Sequence, residues 1–332
     1  MARNKINNKN QSFKLKKGKG ILEDKFNVLV LATMSAGKTS FINALIGQDI
    51  LHTANEATTA CITSVEHRDN LKYFCGACYS YNDLELESLN NTTATVIRSW
   101  NANAEVKRIC LSGSFKIAPR PAPGLVLHDT PGPNNSQNKQ HAQLMLEALQ
   151  QIPVNALFYV LNAGQLATQD DRNLLEQVRD EMTSKPSIPI YFILNKIDLL
   201  DPDKGEDVVH YVNLVRHYLA SLGFKRPMII PTMASIALYA RKALKTEELT
   251  RAQRLKLRQV MDEFKENKRS LLNAARVPTP IKRTVSKALT RLEKQRNDIL
   301  SDSEQCEIND LKQLVALSGL RTVEALIKNQ RK

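Results

Sequence analysis

The stretch ATMSAGKTSFINALIG (residues 32–47) decides the fold class of this chain. Its first part, ATMSAGKT, has the Walker A pattern of a phosphate-binding loop, with Ala32 in place of the usual first glycine. An apolar run precedes it at residues 26–31, and apolar residues at helical spacing follow it. A strand, a tight loop and a helix in this order surround phosphate oxygens with backbone N–H groups. The stretch therefore predicts a phosphate-binding loop (residues 32–39) between a strand and a helix.

The residue types in this loop suit the chemistry of phosphate and Mg²⁺. Gly37 lets the backbone approach the ligand closely. Lys38 supplies positive charge at the β- and γ-phosphates, and the hydroxyl of Thr39 ligates Mg²⁺. The residues expected to contact the nucleotide in this region are Ser35, Ala36, Gly37, Lys38, Thr39 and Ser40.

Short apolar runs alternate with amphipathic segments along most of the chain, which is typical of an α/β protein. Further strands are predicted at residues 125–128, 156–161, 188–194 and 228–231. Helices are predicted between them at residues 140–151, 169–182 and 207–222. The expected fold is a doubly wound, mostly parallel sheet, which binds its ligands at the carboxyl ends of its strands.

Two regions depart from this alternation. Residues 61–123 contain strand-like runs and predict a β-containing insertion. Beyond Arg241 the chain becomes rich in long, charged helical segments, predicted at residues 246–273 and 283–300, with a last helix from Leu320.

The charge of the chain is unevenly distributed. The 332 residues carry 47 basic and 34 acidic side chains, a net charge of +13. Residues 1–20 hold seven basic and no acidic side chains, and residues 241–332 hold 22 basic and 12 acidic ones. Such flanks are attracted to anionic lipid, nucleic acid or an acidic partner, although a solvated arm is the simplest interpretation of the N-terminal one.

Composition excludes several classes of protein. An apolar content of 42% and a charged content of 24% are those of a globular protein, and exclude disorder throughout or a collagen-like repeat. The basic N-terminus lacks the apolar core of a secretory signal, and no run of about 20 apolar residues occurs. We therefore expect a cytoplasmic protein, with a peripheral position at the inner face of the membrane as a further expectation.

The sequence Asp129-Thr-Pro-Gly132 follows the run at residues 125–128. An aspartate at the end of a strand can hold Mg²⁺ through water, and the N–H of Gly132 can meet a γ-phosphate. An ordinary Pro-Gly turn has the same pattern. The motif gains weight only from its position between the phosphate-binding loop and the motif described next.

The sequence Asn195-Lys196-Ile197-Asp198, here called the NKID turn, follows the run at residues 188–194. The carboxylate of Asp198 can accept both N–H groups on the edge of guanine, whereas adenine offers no such pair of donors. Asn195 is expected to brace the loop, and the stem of Lys196 to cover the base. The NKID turn therefore predicts selection of guanine.

The three motifs each follow a predicted strand, and their order along the chain resembles that in the GTPases among P-loop proteins. The resemblance is narrower still to bacterial dynamin-like GTPases. NEATTA (55–60) looks like their switch I, HDTPGPNN (128–135) looks like their switch II, and the 91 residues between Lys38 and Asp129 suit a dynamin-type G domain. By family pattern Thr59 is the switch I threonine that closes on Mg²⁺ and the attacking water, with Thr58 as the alternative.

The resemblance implies a domain organisation and a set of roles. A basic flexible arm (1–24) precedes a dynamin-type G domain (25–245), and a helical extension (246–332) completes or flanks that domain. The implied activity is Mg²⁺-dependent hydrolysis of GTP to GDP, raised by self-association of G domains. A companion dynamin-like protein is a further candidate partner. The implied catalytic residues are Ser35, which is associated with a monovalent cation such as K⁺ or Na⁺, Lys38 and Thr59.

Two departures from the family pattern leave alternatives open. Met34 stands where eukaryotic dynamins have a water-positioning glutamine, and methionine cannot replace that hydrogen bond. In the fifth guanine-binding element Ala234 fits the pattern and Met233 does not. Met34 favours the alternative of a slow nucleotide-dependent switch that binds a partner protein. The basic residues 241–332 favour the other alternative, a GTPase associated with nucleic acid or the nucleoid.

Overall fold

The structure is a computed structural model, and it describes residues 25–52, 61–117, 119–131, 139–201, 204–263, 269–298 and 303–331. The basic arm, the predicted switch I with Thr58 and Thr59, and Gly132 lie outside the described residues.

Nine strands and eleven α-helices occur within the described residues. The strands are β1 (Phe26–Ala32), β2 (Ile62–His67), β3 (Cys75–Ser80), β4 (Glu85–Leu89), β5 (Val106–Gly113), β6 (Leu125–Asp129), β7 (Ala156–Asn162), β8 (Ile190–Asn195) and β9 (Met228–Pro231). The helices are α1 (Lys38–Ile46), α2 (Ala94–Ala102), α3 (Lys139–Gln151), α4 (Gln169–Thr183), α5 (Val208–Ser221), α6 (Ala234–Ala243), α7 (Arg251–Glu263), α8 (Ser270–Ala274), α9 (Thr279–Asp298), α10 (Ser303–Leu317) and α11 (Leu320–Gln330). A 3-10 turn covers Ile197–Leu199.

All nine strands form one sheet in the order β4-β3-β5-β2-β6-β1-β7-β8-β9. Five neighbouring strands, in the order β6-β1-β7-β8-β9, are parallel. This confirms the predicted α/β fold with a mostly parallel sheet. Strand β2 runs antiparallel to β6, and β5, β3 and β4 continue the sheet beyond it. The β-containing insertion therefore widens the sheet.

Side chains of β1 alternate between two apolar layers, one on each face of the sheet. Val28 and Val30 pack on one face with α1, α6 and α11. Leu29 and Leu31 pack on the other face with α3, α4, α5 and α7. Because both faces are covered, β1 is apolar at nearly every position, and the loop after it opens at the carboxyl edge of a rigid sheet.

The last helix of the chain contributes to the central core. Leu320 and Val323 of α11 are fully buried in the layer that contains α1. Arg241 of α6 forms a buried ion pair with Glu324 of α11 and also donates a hydrogen bond to the carbonyl of Ala44 in α1. Helices α6 and α11 therefore pack on the same sheet, and α7 to α10 lie between them in the sequence.

The helix predicted over residues 246–273 is wrong in its extent. Helix α7 begins only at Arg251, because Thr246 has a left-handed backbone (φ 57°) and the hydroxyl of Thr250 accepts a hydrogen bond from the N–H of Gln253. Helix α7 is described as far as Glu263, and a separate helix, α8, starts after Arg269, whose φ is 72°. No helix in the described part of the chain combines the length and apolarity needed to cross a membrane.

Candidate nucleotide-binding site

The phosphate-binding loop joins β1 to α1 and contains two left-handed residues, Ser35 (φ 61°) and Gly37 (φ 85°). A Cβ on residue 37 would stand 2.5 Å from Nδ2 of Asn195, so a glycine is required both by the backbone and by the space. The carbonyl of Ser35 accepts a hydrogen bond from Asn162 at the end of β7 (3.4 Å). The side chains of Met34 and Ser35 are exposed at the tip of the loop.

Lys38, Thr39 and Asp129 meet at the ends of adjacent strands β1 and β6. Nζ of Lys38 forms an ion pair with Oδ1 of Asp129, and both side chains are nearly inaccessible to solvent. The hydroxyl of Thr39 donates to Oδ2 of the same carboxylate over 3.2 Å. Asp129 is the last residue of β6 and lies opposite Val30 of β1. One buried carboxylate thus holds both polar side chains that open α1.

Asn195 connects three loops through one buried side chain. Its Nδ2 donates to the carbonyl of Ala36 in the phosphate-binding loop (3.0 Å). Its Oδ1 accepts from the hydroxyl of Thr232 (3.2 Å) and from the N–H of Ala234 (3.1 Å). The NKID turn, the phosphate-binding loop and the loop after β9 are therefore fixed relative to one another, since each of these hydrogen bonds is shielded from water.

The rest of the NKID turn has its own backbone geometry. Lys196 adopts a left-handed conformation (φ 64°) that turns the chain into the 3-10 turn. Burial lowers the pKa of the Lys196 ammonium, and the negative charge of Asp198 opposes that shift. The side chain of Asp198 is mostly covered, and Lys256 of α7 lies beside it.

The structure brings together most of the residues predicted for the site. Ser35 to Ser40, Asp129, Asn195, Lys196, Asp198 and Ala234 lie at the carboxyl ends of β1, β6, β8 and β9. Thr59 and Gly132 lie outside the described residues. Met233, which departs from the family pattern, is buried and donates its N–H to the carbonyl of Ser318, so its side chain belongs to the core.

Three residues near the site were missed from the sequence: Asn162, Thr232 and Lys256. Asn162 and Thr232 directly follow apolar strand runs, where strand-end polar residues are a usable signal. Lys256 lies 58 residues from its partner Asp198 on a separate helix, and no local pattern marks it.

Comparison with known proteins identifies a family. A family model described as "Dynamin family" matches residues 28–197, just over half of the chain. The match begins in β1 and ends in the NKID turn, so it contains the phosphate-binding loop, Asp129 and Asn195.

Relatives of known description are similar over part of their length. A bacterial dynamin-like protein of Nostoc punctiforme is 24% identical over 210 residues, which cover 60% of this chain and 29% of that protein. Two solved structures are described as an oligomerised bacterial dynamin pair that provides a mechanism for the long-range sensing and tethering of membranes. Each is 17% identical and covers 88% of this chain and 45% of its own, with TM-scores of 0.51 and 0.48. This chain thus spans less than half the length of these relatives. It belongs to the dynamin family.

Proposed function

We propose that this chain binds GTP with Mg²⁺ and hydrolyses it to GDP. The observation that carries the proposal is the convergence of the phosphate-binding loop, Asp129 and the NKID turn. Asn195 joins the turn to the loop through a buried hydrogen bond, and Asp129 holds Lys38 and Thr39 of the loop. Each feature alone has a structural explanation, but the three together provide phosphate donors, a metal carboxylate and a base-selecting carboxylate at one sheet edge. The proposed domains are an arm (1–24), a G domain (25–245) and a helical extension (246–332).

The phosphate end of the proposed site fits a nucleotide with its metal. Lys38 and the N–H groups of the loop from Ser35 to Ser40 would hold the phosphates, with Gly132 at the γ-phosphate. Mg²⁺ is usually held by one or two protein oxygens together with phosphates and water. Thr39, Thr59 and Asp129 supply donors of that kind, and the metal, when bound, neutralises charge that develops on the phosphate oxygens.

The base end of the proposed site lies on the NKID turn. Asp198 would accept the two N–H groups of guanine, and the stem of Lys196 would cover one face of the base. Ala234 would border the base from the loop after β9, where its N–H already contacts Asn195. Selection of guanine over adenine follows, because adenine has no pair of donors for the carboxylate.

Hydrolysis would proceed by in-line attack of water, with Thr59 orienting the water and Lys38 stabilising the charge. Met34 is 43% exposed and offers no strong hydrogen bond, so a different group must complete the site. We infer that Ser35 holds a monovalent cation, K⁺ or Na⁺, and that a second G domain or a companion dynamin-like protein closes over the nucleotide. Support for a paired assembly comes from the fold shared with a bacterial dynamin pair.

Nucleotide binding tests the proposal directly. Titration of the full chain with fluorescent GDP and ADP should give much tighter binding of GDP. Lys38→Met should weaken GDP binding strongly, whereas Lys72→Met, at an exposed lysine far from the loop in sequence, should not. Equal affinity for GDP and ADP would contradict the proposal. Tight GDP binding without phosphate release would favour the alternative of a slow switch that binds a partner protein.

A second candidate function is binding to an anionic surface. The observation that favours it is a basic face on helix α9. Four exposed cations of α9 recur every three or four residues and share one face of the helix: Arg283, Lys287, Arg291 and Lys294. Near an anionic membrane each such charge contributes up to about 1 kcal/mol. Together with the basic arm, this face supports a peripheral position at the inner face of the membrane.

Sedimentation with vesicles of acidic and of neutral lipid tests this candidate. Reversal of the four charges should weaken the salt-sensitive binding to acidic vesicles. Salt-dependent binding to DNA, with no binding to acidic vesicles, would favour the nucleic-acid alternative instead.

A further inference from the structure

A lysine from the helical extension contacts the NKID turn. Nζ of Lys256 in α7 donates a hydrogen bond to the backbone carbonyl of Asp198 (2.8 Å) and lies 3.5 Å from Oδ2 of the same residue. The lysine side chain is 29% exposed and the aspartate side chain 10%. The contact is therefore shielded from bulk water on most sides, where a charge has a stronger effect than on an open surface.

Helix α7 is fixed where it carries this lysine. Leu257, the next residue, and Val260, one turn further, are buried in the same apolar layer as Leu194 of β8 and Ile197 of the NKID turn. This packing places Lys256 beside Asp198.

The NKID turn also borders a cavity. This cavity of about 270 Å³ is lined by Ile197 and Asp198 of the turn and by Glu206, Met233 and Leu271. Space beside Asp198 leaves its side chain with fewer packing contacts, so the hydrogen bond from Lys256 gains importance.

The distances between Lys256 and Asp198 leave the carboxylate of Asp198 able to accept further hydrogen bonds. The short hydrogen bond goes to the backbone carbonyl, and the 3.5 Å separation from Oδ2 is too long for a strong hydrogen bond. An ionised carboxylate has about four acceptor sites. The ammonium therefore orients the group without using the sites that a base would need.

We propose that Lys256 is a positioning residue for base recognition, and that it keeps the carboxylate of Asp198 directed at both N–H donors of guanine. This inference rests on the proposed function of the NKID turn. It makes base selectivity depend on α7, a helix outside the region matched by the dynamin family model. Occupation of the base site and docking of α7 would then be coupled, and coupling of this kind is reciprocal.

The test compares GDP, IDP and ADP, because the hypoxanthine base of IDP lacks the exocyclic amino group of guanine. Lys256→Met keeps an apolar stem and removes the ammonium. We expect it to weaken GDP binding by about five- to tenfold and to weaken IDP binding less, since only one of two hydrogen bonds is at stake there. The preference for GDP over IDP should therefore shrink, and Lys256→Arg should restore part of it.

Arg258→Met is the matched control, because it removes the same charge from an exposed position of the same helix. It should leave both affinities unchanged. Thermal unfolding of each variant identifies any loss of fold, and Lys256→Gln replaces the methionine variant if that one unfolds. An unchanged preference for GDP over IDP in a folded Lys256 variant overturns this inference alone. A wild-type chain that binds GDP and ADP equally overturns the proposed function as well.

Discussion

Nδ2 of Asn195 occupies the space in which a side chain of residue 37 would begin, 2.5 Å from the position of a Cβ on Gly37. The NKID turn and the phosphate-binding loop are thus in direct contact before any ligand is considered. In the proposed site, this contact would set the separation between the base and the phosphates. Asn195 is a structural centre of the proposed site, although it is not expected to touch the reacting atoms.

Asn195→Ala should destabilise the chain and weaken nucleotide binding together. The substitution leaves the carbonyl of Ala36 and the N–H of Ala234 without their partner, at an expected cost of about 2–3 kcal/mol. Denaturant unfolding and GDP titration measure the two effects. Asn162→Ala is the control, because its bond to the loop is longer and partly exposed, and it should cost less than half as much. Equal losses for the two variants would contradict the central position of Asn195.

Asp198→Asn should change the preferred base from guanine to xanthine. The carboxylate accepts two donors, whereas the amide of asparagine accepts one and donates one, which matches the oxygen at position 2 of xanthine. We expect a loss of GTP affinity of about tenfold to a hundredfold and a gain for xanthosine triphosphate. Asp201→Asn, which alters an acid of the same loop, should leave the preference as it is. Retention of guanine preference in the Asp198 variant would place the base elsewhere.

The buried pair Tyr159–Asp171 predicts a specific dependence of stability on pH. The hydroxyl of Tyr159 donates to Oδ1 of Asp171 over 2.7 Å, and burial raises the pKa of Asp171 to about 6, while that hydrogen bond opposes the shift. The folded chain holds the proton of Asp171 more tightly than the unfolded chain does. The protonated carboxyl therefore makes its full contribution to the free energy of unfolding below about pH 4. This contribution is lost as the pH rises to about 6.

Asp171→Asn should remove this loss of stability with rising pH, because the amide does not titrate. Its oxygen can still accept the hydrogen bond from Tyr159. The gain in unfolding free energy over the wild type should be larger at pH 7.5 than at pH 4 by about 3 kcal/mol. Asp170→Asn, at the exposed neighbour in the same first turn of α4, should show no such difference. Parallel stability curves for Asp171→Asn and the wild type would show that folding does not raise the pKa of the Asp171 carboxyl.

Ser35→Ala tests the proposed role of a monovalent cation. The serine side chain is exposed at the tip of the loop, and the phosphates are expected to be held by N–H groups and Lys38, so GDP binding should change little. Wild-type turnover should be faster in K⁺ or Na⁺ than in choline at equal ionic strength, and the variant should lose this difference. A wild-type rate that is the same in all three salts would remove the cation from the mechanism.

The parts of the fold that could be predicted are those where local pattern and burial agree. Strands β1, β7 and β8 are covered on both faces, so their apolar runs mark them in the sequence. Strand β4 could not be recognised, because its side chains are largely exposed at the sheet edge and Glu85 and Glu87 interrupt any apolar run. Helix α10 was missed as well, although it packs on α6 and α9.

The candidate site shows the same division. Motifs at strand ends identify Lys38, Asp129 and Asn195, because the chemistry of a phosphate or a base demands those residue types in that order. The contact of Lys256 with Asp198 depends on how α7 packs across the sheet, which is a property of the tertiary structure. Sequence patterns therefore predict which groups form the site, whereas the structure shows what holds them in place.

Multiple-turnover phosphate release from GTP and from ATP, measured over a wide range of concentrations of the full chain in K⁺ and Mg²⁺, tests the central claim most directly. The account predicts many turnovers of GTP for each chain, little release from ATP, and a specific activity that rises with protein concentration. Equal release from ATP, or release from GTP that stops at one equivalent and does not respond to protein concentration, would contradict it.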